Sequence, residues 1–207
     1  MFRQIPDVVK NLLIINVIIF VLTNVMGVIN PDFLALYYPK SDSFQPFQIV
    51  THMFTHGSST HLLFNMVGLY FFGPPLEQLW GSKRFLIFYF ITAFGSLLLY
   101  LFTHYLELTY FNLDPSYIDA NVRGASGAVF GLLAGFAMKY PNQIISLIFP
   151  PISMKAKYFV LGYAAIELFL GVGRINTGIA HFAHLGGALF GVLLILYWNK
   201  TDRRFRR

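Results

Sequence analysis

The stretch 121-NVRGASGAVFG-131 holds Ser126 between two glycines, Gly124 two residues before it and Gly127 directly after it. A serine hydroxyl is a weak nucleophile until a neighbouring base takes its proton, and neutral imidazole suits that task near pH 7. His184, in 180-AHFAHLGGALFG-191, is a candidate base, and it too is followed by small residues, Gly187 and Gly191. A third polar group, 61-HLLFN-65, offers the N–H donors of His61 and Asn65, which with the backbone N–H of Ser126 suit an oxyanion. Nucleophile, base and donors are the parts of acyl transfer. All three groups stand in runs apolar enough for lipid, where polar side chains are costly unless they are paired or functional.

The elements that must position them follow from composition. The chain has 207 residues, 56% hydrophobic and 12% charged, with 23 Phe and 12 Tyr, whereas a soluble domain averages about 25% charged residues. An all-α, multi-pass membrane protein is expected. The formal net charge of +6 comes from basic residues in short loops and the tail, which set orientation in a membrane, so nucleic acid is not an expected partner. With no cysteine, disulfides, thiolate chemistry and cysteine-ligated zinc are excluded. The stretch 1-MFRQIPDVVK-10 runs into an apolar segment with no small-residue cleavage site, as in a retained first span rather than a signal peptide. A single transmembrane domain over 1–207 is expected.

Six spans are predicted at about 11–30, 61–80, 85–106, 125–140, 157–171 and 180–199, each near the length that crosses roughly 30 Å of hydrocarbon. The fifth is short and carries Glu167. With the N-terminus inside, twelve of the 15 Lys and Arg residues are cytoplasmic and only Lys40, Arg123 and Arg174 lie outside, which predicts both termini in the cytoplasm. Residues 31–60 form an outer loop rich in aromatics, expected to lie partly in the interface. His52 and His56 within it are expected to be solvated or interfacial.

Ser126 stands fourteen residues above Tyr140 and His184 fourteen above Trp198, a height of about 21 Å in each case. Asn65 stands fifteen above Trp80, with His61 one turn higher on the same face. Three spans therefore carry polar groups at one depth. Gly127, Gly131 and Gly135 form a ridge on the fourth span and Gly187 and Gly191 one on the sixth, and such stripes let helices approach closely in lipid. No carboxylate is predicted at this level, because Glu77 lies near the cytoplasmic end of its span and Glu167 comes from the irregular fifth. Ser126 and His184 are thus read as a dyad, with His181, one turn above His184, as a structural neighbour and the alternative base. The polar segment 112-NLDPSYIDANVRG-124 is expected to dip inward and admit water.

With these motifs the sequence resembles the rhomboid intramembrane serine proteases: His61-x-x-x-Asn65, Gly124-x-Ser126-Gly127 and His184 occur in the family's order. Gly73-x-x-x-Glu77-x-x-x-Gly81 and Gly187-x-x-x-Gly191 also match. The resemblance implies a six-helix rhomboid-like bundle in which Ser126 is the nucleophile, His184 the base, and His61 and Asn65 the oxyanion donors. It implies a serine endopeptidase acting on transmembrane protein substrates within membrane lipid. It further implies that 171-GVGRINTG-178 caps the site, and that the protein lies in a bacterial or archaeal plasma membrane with the site open to the extracytoplasmic side. One departure is Phe130, which stands where family members often carry a tyrosine packed on the histidine. Stacking survives that change, but a hydroxyl hydrogen bond does not. No cofactor and no metal are expected: His52, His56, His61, His181 and His184 show no His-Glu-x-x-His pattern. The alternative is a non-catalytic rhomboid-like protein that binds membrane clients.

Overall fold

The computed structural model describes residues 4–110, 115–147, 151–174 and 180–202. Its long helices are α1 (Asp7–Phe20, extended by a π-helical turn over Val21–Val25), α2 (Ser59–Trp80), α3 (Ser82–Tyr110), α4 (Ser126–Lys139), α5 (Ala156–Val172) and α6 (His181–Thr201). They occupy the six apolar segments of the sequence. By length and composition, α1 with its extension, α3 and α6 suffice to cross a membrane. The basic residues Arg3, Arg203, Arg204, Arg206 and Arg207, with residues 111–114 and 175–179 of the segments singled out above, lie outside the described residues.

Local signals set the ends. The first helix begins at Asp7 and ends near Val25, earlier at both ends than the expected 11–30, because Pro6 opens it and Gly27, at φ +64°, closes it. The Ser58 hydroxyl accepts the His61 N–H at 3.1 Å and so caps α2. Gly81, at φ +78°, ends α2 and donates its N–H to the Glu77 carbonyl at 2.8 Å. The Glu77 carboxylate ties the end of α2 to the starts of α1 and α3. It accepts the N–H groups of Val8 and Val9 at 3.1 and 2.9 Å and the Ser82 hydroxyl at 2.7 Å, where the orphan donors of the α1 N-terminus favour a negative charge.

The centre of the bundle is α4. Every residue from Gly127 to Ala137 is buried, the pattern of a helix surrounded by others. Its 14 residues rise only about 21 Å, because the chain before Ser126 is irregular. The tightest packing joins α3, α4 and α6. A Cβ placed on Gly187 would lie 1.9 Å from the Gly127 carbonyl oxygen, and one on Gly191 would lie 3.1 Å from that of Gly131, so α4 and α6 meet backbone to backbone. The glycines of α4, however, turn their missing side chains elsewhere: Gly127 and Gly131 face Ser96 and Thr92 of α3, and Gly135 faces Phe88, Trp80 and Leu76. Phe190 of α6 in turn seats on Gly95 of α3. At the far end from Ser126, Arg84 pairs with Asp202, tying the start of α3 to the end of α6. Trp80, Phe88 and Trp198 cluster there with ring centroids 4.7 to 6.2 Å apart.

The segment between α1 and α2 is compact. Leu36–Tyr37 pairs antiparallel with Asn121–Val122, and Gln48, 1% exposed, accepts the N–H of Gln45 and donates to the carbonyls of Ser43 and Phe33. His52 and His56 are therefore buried rather than solvated, with exposures of 6% and 0%. The Arg123–Asp32 ion pair, 2.6 Å, ties the same segment to the chain entering α4.

Candidate active site

Gly124 is the hinge of the site. Its φ of +122° is a conformation that L side chains rarely adopt, and a Cβ there would lie 2.6 Å from His61 Nε2 and 3.5 Å from Asn65 Nδ2. Its N–H donates to the His52 carbonyl at 2.8 Å, so the segment between α1 and α2 fixes the turn that leads into Ser126. The serine is the first residue of α4, with no side-chain cap before it. The N–H groups of this first turn have no intrahelical partner, and the helix dipole is positive here.

Asn65 is brought to this turn by the contact of α2 with α4. Gly68, one turn further along α2, would carry its Cβ 2.5 Å from Val129 Cγ1, and only the absent side chain allows that approach. Asn65 is 4% exposed and its Nδ2 has no hydrogen-bond partner. Buried donors are nearly always satisfied, so this unpartnered one, near the Gly124 turn, is a candidate donor to a bound acceptor. His61 packs edge-on to His56, centroids 5.1 Å apart. Burial, reinforced by His61, pushes the His56 imidazole down to about 4, so His56 is neutral at physiological pH.

His184 stacks on Phe130, with centroids 4.1 Å apart and planes 9° from parallel. Stacking is thus present with phenylalanine in that place. Against expectation a carboxylate reaches this level. Glu167, 3% exposed, accepts a hydrogen bond from His181 Nδ1 at 2.6 Å through Oε2, and its Oε1 lies 3.1 Å from His184 Nδ1. The second contact has the distance of an ion pair without the direction of a hydrogen bond. Glu167 was missed because the spacing on its short span says nothing about which neighbour its buried face meets. The available signal was a lone acidic residue in an otherwise apolar helix.

Ser126, His184, His61, Asn65 and Phe130 line one cavity of about 1030 Å³, together with His181. No hydrogen bond joins Ser126 to His184, although their helices touch at Gly127 and Gly187. Among the described residues no three His, Asp or Glu side chains are arranged to hold a metal. Gly124→Ala is expected to displace the His61 ring and strain the turn. The melting temperature should fall by several degrees, given a cost of about 1–3 kcal/mol for a forced backbone conformation, as checked by a melting curve in detergent.

A buried central helix headed by a serine, a largely apolar cavity beside it that also holds serine, histidine and asparagine side chains, and a shell of exposed apolar helices define a helical integral membrane protein with a polar cluster in an apolar cleft. Residues 43–200 match the Rhomboid domain. The sequence is 33% identical over 172 residues to Rhomboid-like protease 3 of Toxoplasma gondii, covering 80% of this chain and 57% of that one. It is 32% identical over 161 residues to the putative rhomboid protease YdcA of Bacillus subtilis, covering 76% and 70%. It is also 32% identical over 213 residues to the mitochondrial RHOMBOID-like protein 12 of Arabidopsis thaliana, covering 97% and 60%. The chain belongs to the rhomboid family, and it spans less than two thirds of the length of the Toxoplasma and Arabidopsis relatives.

Proposed function

We propose that this protein is an intramembrane serine endopeptidase that cleaves transmembrane protein substrates with Ser126 as nucleophile and His184 as base. The observation that carries the reading is the convergence of Ser126, His184, His61 and Asn65 on one cavity, with the Asn65 donor buried and unpartnered. In the first step His184 Nε2 takes the Ser126 hydroxyl proton while Oγ bonds to the scissile carbonyl carbon. The oxyanion accepts from Asn65, His61 and the Ser126 N–H. As the C–N bond breaks, His184 returns the proton to the leaving amine, leaving an acyl-serine. Water then repeats the sequence, giving its proton to His184 and its oxygen to the acyl carbon, and serine is regenerated. Phe130, stacked on the imidazole, keeps the base in one plane throughout.

We read all six long helices as membrane spans, with both termini cytoplasmic and the cavity open to the extracytoplasmic side of a bacterial or archaeal plasma membrane. The charge asymmetry of the loops supports the orientation. The grouping of the start of α1 with the end of α2, and of the start of α3 with the end of α6, supports an even number of crossings.

Purified protein in detergent is expected to react covalently with a fluorophosphonate probe at Ser126, equally with and without chelator. Chelator-sensitive labelling would point to metal chemistry, and no labelling to a protein that binds membrane clients without cleaving them. Asn65→Ala is expected to lower kcat about 10- to 1000-fold with a smaller effect on KM, the range for loss of one oxyanion donor. Steady-state cleavage of a transmembrane reporter checks this, and an unchanged kcat would return Asn65 to a packing role.

A further inference from the structure

We propose that Glu167 is a positioning residue that sets the tautomer of His184 and steadies its charge, making the site a relay of Ser126, His184 and Glu167. This rests on the reading of His184 as the base. The helix that carries Glu167 is exposed over most of its surface, and of its 17 residues only Ala156, Glu167 and Gly171 are buried. A carboxylate at membrane depth is tolerated when it faces the interior and is paired. Glu167 meets both conditions, because each oxygen stands against one imidazole, at 2.6 Å for His181 Nδ1 and 3.1 Å for His184 Nδ1.

An ionised carboxylate only accepts hydrogen bonds, so it holds the proton of a facing imidazole on Nδ1. For His184 this leaves Nε2 as the unprotonated nitrogen, the one required to take the serine proton. When it does so, an imidazolium forms in the first turns of α6, where the helix dipole opposes positive charge. The adjacent carboxylate offsets that cost. His181 acts on the other oxygen as an anchor that stops the carboxylate from turning away. The distances are those of direct contact between carboxylate and imidazole, a hydrogen bond to His181 and an ion-pair contact to His184, and both are shorter than the roughly 3.4 Å between two donors on one tetrahedral zinc at bond lengths of about 2.1 Å. Unlike the two histidines, Glu167 does not line the cavity, so it acts through His184 and not on a substrate.

The test is the rate of fluorophosphonate labelling of full-length protein in detergent, resolved into the maximal rate kinact and the probe affinity KI, with melting curves alongside. Glu167→Gln keeps shape but not charge. It is expected to lower kinact about 10- to 1000-fold, as when a histidine loses its orienting carboxylate, with KI and melting temperature near those of wild type. His181→Ala should lower kinact less, because the carboxylate is loosened and not removed. An unchanged kinact in Glu167→Gln, with the wild type labelled at Ser126, would overturn this proposal and leave the hydrolase reading intact. A loss of kinact matched by a rise in KI and a lowered melting temperature would assign Glu167 to structure and overturn it equally. Should Glu167→Gln fail to fold, Glu167→Asp is read in its place: slower labelling at normal KI sustains the proposal, and wild-type kinact overturns it. Wild-type protein that takes no label would overturn the hydrolase reading and this proposal together.

Discussion

Ser126→Ala and His184→Ala are each expected to lose cleavage of a transmembrane reporter by at least about 1000-fold, and the double variant is expected to lose no more than either alone. Residues that act as one unit are strongly non-additive, because the nucleophile without its base, or the base without its nucleophile, has nothing to do. Ser126→Ala should melt close to wild type, and His184→Ala, which removes the ring stacked on Phe130 and one partner of the buried Glu167, should melt lower while remaining folded. Ser126 begins its helix with no hydrogen bond of its own to lose, and Ala in place of His184 leaves the Gly187–Gly127 contact untouched. The measurement is cleavage per folded molecule in detergent. Substantial turnover by Ser126→Ala would end the assignment of the nucleophile, and additive losses would mean that the two residues do not work together.

Gly187→Leu is expected to be the most damaging of the packing changes. Its first added atom would sit 1.9 Å from the Gly127 carbonyl oxygen and 2.7 Å from the carbonyl carbon, and a backbone on a central helix has no rotamer by which to yield. The helices must separate, at a cost at or above the upper end of the 1–3 kcal/mol typical of overpacking, or roughly 10 °C in melting temperature. Because Ser126 and His184 lie beside this contact, activity per folded molecule should fall as well. Gly191→Leu, with 3.1 Å to the Gly131 oxygen, should cost less. Gly162→Leu on the outer face of α5, where a Cβ meets nothing within 4 Å, should cost nothing measurable. A Gly187→Leu protein that melts and cleaves normally would show that the backbone contact is not what holds α4 and α6 together.

Much of this arrangement was legible in one dimension. The helical segments follow from runs of apolar residues that only a helix can satisfy in lipid, and the common depth of Ser126, His184 and Asn65 follows from a fixed rise per residue. The glycine stripe on α6 announced a close neighbour, since a helix surface without side chains has one structural use in a membrane. What residue spacing cannot express is azimuth: which way each helix is turned, and against what. Hence Gly127, Gly131 and Gly135 form one stripe in sequence, yet the places of their missing side chains face Ser96, Thr92 and Phe88 of α3 and not α6. His52 and His56, expected from the composition of residues 31–60 to be solvated or interfacial, are buried within the protein instead. Glu167 is the clearest case. That a lone carboxylate lies in an apolar helix and must find a partner is visible in the order of residues. That its partners are His181 and His184 is not, because pairings across the chain between separate helices depend on how α5 rotates against α6, and that rotation is settled by packing rather than by spacing along the chain.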